Sequence, residues 1–339
     1  MDFPTEFEAH GIRFRPYRDE DAAGLTAGLN DPDSRRFQQG SPTEVTEERS
    51  QAWIEAAPTR FGPGSDRVVY AVGDRSTDEL LAGTIITINP SRMSAELGFW
   101  VCPAARGRGI ATAIAHALAG LCFAQGLRRV EMVIRWENLA SQRVALAAGF
   151  QPEGKLRDVV PGAGAERHDA ILWSRLPADG GRPVPRPLLD LPGGVLSDGV
   201  VSVRPVGPGD QALFPERHCF RAPVHWLLGE QACVLVLNAA TGDPLGEIQL
   251  RPGAYGAVLS SKPLSDSASA HLVRRAVLLM KTWAESIGMA QVTTVDSEGA
   301  PLVDGPPDDQ ANTAATPSAP SYCGARQANS PGASACPPR

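Results

Sequence analysis

The chain has 339 residues, room for two domains of ~150 residues each. Its formal net charge of −6 and 42% hydrophobic content permit a real core and argue against a general nucleic-acid-binding surface. The N-terminal residues show no secretory pattern, no apolar run approaches the ~18 residues of a membrane span, and the six cysteines form no CxxC pair. Neither a zinc site nor a disulfide framework is expected; reduced thiols in a cytoplasmic protein are.

The segment "HGIRFRPYRDEDAAGL" (10–25) alternates as a strand and then enters a helix behind acidic residues. "TEVTEERSQAWIEAA" (43–57) offers a capped helix start. Three strands are predicted at 67–74, 80–88 and 94–101. Residues 109–125 form an amphipathic helix with Ile110, Ile114, Leu118 and Leu121 on its inner face, ended at Gly126. A strand (128–136), a short helix (139–150) and a last strand (167–176) complete one mixed α/β domain over residues 8–176. The stretch 177–194 is Pro/Gly-rich without periodicity and reads as a linker.

Residues 195–303 repeat the first domain in diluted form. "RPYRDED" (15–21) pairs with "RPVGPGD" (204–210), and "LLAGTIIT" (80–87) with "DPLGEIQL" (243–250). "RGRGIATAIAHALAGLCFAQGLRRV" (106–130) aligns without gaps to "ASAHLVRRAVLLMKTWAESIGMAQV" (268–292). A last helix and strands are not legible in the second copy. From 304 onward the composition predicts disorder.

The chemistry is concentrated in "ARGRGIATAIAHALAG" (105–120). A helix N-terminus presents unpartnered N–H groups and a positive dipole end, which suits a phosphate. Gly107 and Gly109 let oxygens approach the backbone, and Arg106 and Arg108 add charge. The stretch is neither a Walker loop nor a dinucleotide fingerprint, since Thr112 stands where the latter needs glycine. Taken alone, it reads equally as a solvated turn.

In context, "ELGFWVCPAARGRGIATAIAHAL" resembles motif A of the GNAT superfamily of N-acetyltransferases, whose pattern Gln/Arg-x-x-Gly-x-Gly/Ala is met by Arg106, Gly109 and Ala111. "ENLASQRVALAAGF" resembles the Asn-x-x-Ser segment of the RimJ/RimL-like branch, which acetylates ribosomal-protein N-termini. The resemblance covers 8–176. It implies the GNAT fold and acetyl-CoA as co-substrate, without a metal. The backbone of Arg106, Gly107, Arg108, Gly109, Ile110 and Ala111, together with Thr112, would hold the pyrophosphate. Asn138 would bond the pantetheine arm, cap the next helix, or do both. The strand of residues 96–101 would splay from its neighbour, and an N–H near Trp100 or Val101 would polarise the thioester.

The acceptor implied is a primary amine, on a protein N-terminus or a small molecule, attacking the thioester directly. Glu96 reads as the general base or as an exposed strand carboxylate. Many family members carry a tyrosine on the helix after the Asn, and none is present here; Ser141 stands where the branch has Ser, as thiol partner or helix residue. Arg143 reads as a cofactor contact or a solvated arginine. His116 reads as packing, His168 and Asp169 could face the acceptor, and Trp53 and Phe61 line its cleft or the core. The second copy, with Ala268, Ser269, His271 and Val273 at the motif positions and Ala300 and Val303 for Asn138 and Ser141, is expected not to bind acetyl-CoA and to pack on or near the first, covering a sheet edge or shaping the acceptor groove. Two other readings are a non-catalytic acyl-CoA sensor and an enzyme preferring a longer acyl group.

Overall fold

The alternation of "IRFR" places Ile12 and Phe14 on one side of a strand, and both are buried in the computed structural model. The structure describes residues 1–302 apart from 39–43, 62–63, 163–164, 215–218, 255, 265–266 and 297; the expectation of disorder from 304 onward lies outside them. In chain order the first half contains β1 (Phe7–Ala9), β2 (Ile12–Arg15), α1 (Ala22–Asn30), α2 (Pro32–Phe37), α3 (Glu47–Arg60), β3 (Arg67–Asp74), β4 (Leu80–Asn89), β5 (Ser94–Val101), α4 (Ile110–Ala124), β6 (Arg129–Arg135), α5 (Leu139–Ala147), β7 (Gln151–Pro161) and β8 (Arg167–Arg175). They form an eight-stranded sheet ordered β1-β2-β3-β4-β5-β6-β8-β7. Every neighbouring pair is antiparallel except β5 and β6, so the fold is mixed α/β.

Helix α4 makes the β5–β6 crossover, as a parallel pair requires. Its Ile114, Ala115, Leu118, Ala119 and Cys122 are fully buried against one sheet face, whereas Leu121 is only partly so. On the other face α1 and α3 cover Trp100 with Leu25 and Ile54. Thr46 caps α3 by accepting from the Arg49 N–H.

Three elements of the first half differ from the sequence reading, the first being the short β1, which pairs with β2 ahead of the predicted first strand. Helix α2 was not expected, although Asp31 caps it through the Ser34 N–H and Pro32 opens it. Strand β7 was not expected because its side chains are mostly exposed and therefore do not alternate; it is an edge strand held by β8.

The second half contains β9 (Leu196–Ser197), β10 (Val201–Pro205), α6 (Ala222–Leu227), β11 (Ala232–Asn238), β12 (Pro244–Gly253), β13 (Gly256–Pro263), α7 (Ser267–Ser286) and β14 (Val292–Val295). Its six-stranded sheet runs β14-β13-β12-β11-β10-β9, and only β13 and β14 are parallel. The strand β14 corrects the expectation that nothing of the sheet follows residue 292.

The order β10-β11-β12-β13-β14 reproduces β2-β3-β4-β5-β6, with α7 in the place of α4. In the first sheet Ala95 faces Val130, and in the second Ala257 faces Val292, so each crossover spans the same length and the ungapped alignment of 106–130 with 268–292 is also a structural register. Arg15 holds Asp21 at 2.7 Å behind β2, and Arg204 holds Asp210 at 2.7 Å behind β10. One pairing shifts: Ala82 and Gly246, not Gly83 and Gly246, occupy equivalent register positions, opposite Val101 and Pro263. The second half is shorter between its first two full strands, where α1, α2 and α3 have only α6 as counterpart.

The halves meet through α6. Val224 and Leu227 belong to the first core while Trp226 belongs to the second. Arg221 bonds Asp169 at 3.2 Å and stacks over Trp136, and the His225 ring lies 5.5 Å from that of Trp136. Within the segment read as a linker, Leu188 and Leu191 are buried in the second core.

Candidate active site

Strands β5 and β6 pair only at Ser94–Arg129, Ala95–Val130 and Glu96–Glu131. Beyond Glu96 they part: β5 stays on β4 as far as Val101 and β6 stays on β8 as far as Arg135. The V thus opened leads into a cleft of about 1290 Å³ lined by α1–α3, β3–β6, the loop before α4 and the start of α5. Cys102 donates its N–H to Leu81 on β4 at 2.8 Å. The alternation of an antiparallel ladder then aims the Trp100 N–H at β4 as well and the N–H groups of Phe99 and Val101 into the V. Of the two residues expected to polarise a carbonyl, Val101 therefore has the suitable backbone. The Trp100 indole instead fills the space that a Cβ on Gly28 or Gly83 would need.

Arg106 to Thr112 close one end of the cleft. Gly107 and Gly109 adopt φ of +73° and +77°, a left-handed turn that glycine makes without strain. Gly109 caps α4 with no side-chain bond. The N–H groups of Gly107, Arg108, Gly109, Ile110, Ala111 and Thr112 have no protein partner among the described residues. Six successive donors at the positive end of a 15-residue helix form an anion cradle, and this fits the pyrophosphate of a CoA thioester. The two arginines contribute differently from expectation. Arg106 is engaged by Asp31, by Asp33 at 3.2 Å and by the Ser34 hydroxyl at 3.0 Å, and it holds Asp31 below the usual carboxylate range; it ties the loop to α2. Arg108 points to Asp74 at 3.8 Å and does not line the cleft.

Across the V, the Asn138 Oδ1 accepts the Ser141 N–H at 3.1 Å and caps α5. Its Nδ2 has no protein partner among the described residues, so both roles expected for Asn138 are compatible. Ser141 lines the cleft with its hydroxyl unbonded. Arg143 is exposed and outside the cleft; its nearest influence is a favourable charge effect on Asp190.

At the apex of the V, Glu96 is half-buried, forms no ion pair among the described residues and lines the cleft. Burial, and then the neighbouring Glu131, push its pKa above the ordinary carboxylate value. Glu131 is tied down by Arg129, which leaves Glu96 as the carboxylate free to exchange a proton.

The stretch from residue 12 to residue 151 matches the acetyltransferase (GNAT) domain family. Residues 12–151 are a GNAT acetyltransferase domain. No curated protein matches the chain. Among solved structures, RimJ of Mycobacterium smegmatis in complex with CoA-disulfide is similar at 23% identity over 52% of this chain and 88% of that one, with a TM-score of 0.46. A GNAT-family acetyltransferase of Bacillus anthracis is similar at 20% identity over 50% and 98%, TM-score 0.44. RimL, a ribosomal L7/L12 alpha-N-protein acetyltransferase in complex with coenzyme A, is similar at 17% identity over 51% and 97%, TM-score 0.42.

The other residues singled out in the sequence divide between the cleft and positions away from it. Trp53 lines the cleft and meets Tyr17 edge-on at 5.0 Å and Phe61 at 5.8 Å. His116 lies away from the cleft beside His10 and Arg175, its pKa lowered by burial and by that arginine. His168 faces Glu166, and Asp169 faces Arg221; neither reaches the cleft. Sequence reasoning missed Tyr17, whose buried phenol is pushed far above its ordinary pKa, and the arginines at the cleft mouth. Their signal is topological, because α2, α3 and β3 meet only in the fold.

In the second half α7 already begins at Ser267. Ser269 and His271, aligned with Gly107 and Gly109, lie inside the helix, so the positions of the anion cradle are taken up by helical turns. Among the described residues, no side chain of the second half lines the cleft, so the groove-shaping role expected for it has no direct contact behind it. No cluster of three or more His, Cys, Asp or Glu suited to a metal occurs among the described residues, and no described helix is long and apolar enough to cross a membrane.

Proposed function

We propose that the protein transfers an acetyl group from acetyl-CoA to a primary amine at the V between β5 and β6. The observation that carries the reading is the alignment, in one cleft, of the open N–H groups of Gly107 and of Gly109 to Thr112, a Val101 N–H turned into the V and a Glu96 carboxylate with no ion pair among the described residues. Acetyl-CoA supplies the activated acyl carbon: the amine nitrogen bonds to it as its C–S bond breaks. The cradle of Gly107–Thr112 holds the pyrophosphate. Asn138 Nδ2 donates to the pantetheine arm, and Val101 N–H stabilises the negative charge that develops on the carbonyl oxygen. Glu96 accepts the amine proton, a task helped by its raised pKa, which lies closer to the working pH. The Ser141 hydroxyl lies on the thiolate side and donates to the departing sulfur, which then takes a proton from solvent.

The second half is a degenerate copy that has lost the cradle and serves as a brace. Arg221 and α6 press on Trp136 and Asp169 directly behind the Asn138 turn, which positions α5. The test of the transfer reading is release of free CoA thiol from acetyl-CoA with a panel of N-terminal peptides and amino-bearing small molecules. Turnover with an amine supports it. Tight acetyl-CoA binding without turnover on any amine favours the sensor reading.

A further inference from the structure

We propose that the acceptor is an anionic molecule, a peptide N-terminus followed closely by acidic residues, recognised by Arg36, Arg49 and Arg67 at the mouth of the cleft. This rests on the amine-transfer reading above. The three side chains come from different elements, the end of α2, the first turn of α3 and the start of β3, and all line the same cleft. None has a carboxylate partner among the described residues. The other lining arginines are matched: Arg106 by Asp31 and Asp33, and Arg135 by Glu137 at 3.5 Å. The mouth thus carries three uncompensated positive charges in a chain of net charge −6, with Glu96 as the free carboxylate deeper in.

Register fixes the spacing between them. Arg67 faces Thr87, and Thr87 faces Glu96, so the three share one sheet face. At about 4.8 Å per strand, the Arg67 stem stands about 10 Å from that of Glu96. An extended peptide rises ~3.3 Å per residue. With its amine at Glu96, the side chains of its second to fourth residues therefore come level with Arg67, while Arg36 and Arg49 line the same cleft and Trp53 and Phe37 offer apolar walls. Carboxylate and phosphate oxyanions are both met by such groups; the two-strand spacing between Glu96 and Arg67 favours an extended peptide over a small molecule.

The test compares hexapeptides beginning with serine and carrying Asp-Glu-Asp, Asn-Gln-Asn or Lys-Arg-Lys next, with phosphoethanolamine as the small phosphate-bearing amine. It uses the full chain and the Arg36→Gln/Arg49→Gln/Arg67→Gln variant, whose altered side chains are exposed. Three exposed ion pairs correspond to about a tenfold preference in kcat/KM for the acidic over the neutral peptide, shrinking as salt is raised. In the triple variant the preference falls to about one. Acidic and neutral peptides acetylated within twofold of each other, a preference that survives the triple substitution, or phosphoethanolamine equal to the acidic peptide would each overturn the proposal. Calorimetry with CoA present separates the two readings. An acidic peptide that binds through these arginines and is never acetylated overturns amine transfer and leaves the docking surface standing.

Discussion

Glu96 shows how an ordinary strand carboxylate acquires a raised pKa, the property the proposed proton acceptor needs. It sits where the last β5–β6 pair ends, close enough to Glu131 to feel its charge and deep enough to lose solvent. The base must be deprotonated to act. Because its pKa is raised, activity is lost as pH falls through a value above the usual carboxylate range, and is fully present above it. Glu96→Gln lowers kcat by about 10²–10⁴-fold and removes that lower limb from the pH–rate profile, leaving the titration of the acceptor amine; a pH series on both proteins checks this. Trp100 teaches a different lesson. The sequence left the polarising N–H to Trp100 or Val101, whereas ladder alternation turns only the Val101 N–H into the V, and the indole packs over Gly28. Gly28→Ala brings a Cβ to within 2.0 Å of the ring, and the overpacking costs about 1–3 kcal/mol, read as a lowered denaturation midpoint.

Among the elements, the β5–loop–α4 unit was legible from sequence because its signals are local: a strand, two glycines, an apolar helical stripe. The equivalent unit in the second half was also legible as an alignment, yet its meaning was not. Only the structure shows α7 starting at Ser267 and consuming the turn. Strand β7 and helix α2 were missed for the opposite reason, since an exposed edge strand and a six-residue helix carry little periodicity. The Arg15–Asp21 pair, hidden in the sequence as one dipeptide echo, closes the β2–α1 junction. Arg15 is 2% exposed and Asp21 5%, so Asp21→Ala takes away the buried partner, leaves the guanidinium only Asp78 at 3.0 Å, and destabilises by up to about 3–5 kcal/mol. In its counterpart the Arg204 side chain is 37% exposed, so Asp210→Ala costs less. Chemical denaturation of both variants measures the difference.

For the molecule between Met1 and Leu302, which forms one compact unit, α6 is the joint. Val224 and Leu227 are buried in the first core, at 1% and 2% exposure, although they belong to the second half. Both sheets are therefore expected to unfold in a single transition, and Val224→Asp lowers its midpoint as a whole rather than splitting it; calorimetric scanning shows which. In the proposed reading, the same joint is what lets the second half brace the Asn138 turn. The central claim, acetyl transfer to an amine at the V, is tested most directly by following CoA thiol release in the full chain, Glu96→Gln and Gly109→Trp, alongside acetyl-CoA affinity. The account predicts turnover in the full chain, retained binding with at least a hundredfold slower turnover in Glu96→Gln, and loss of binding in Gly109→Trp. Undiminished turnover in both variants, or binding in the full chain without turnover on any amine, would contradict it.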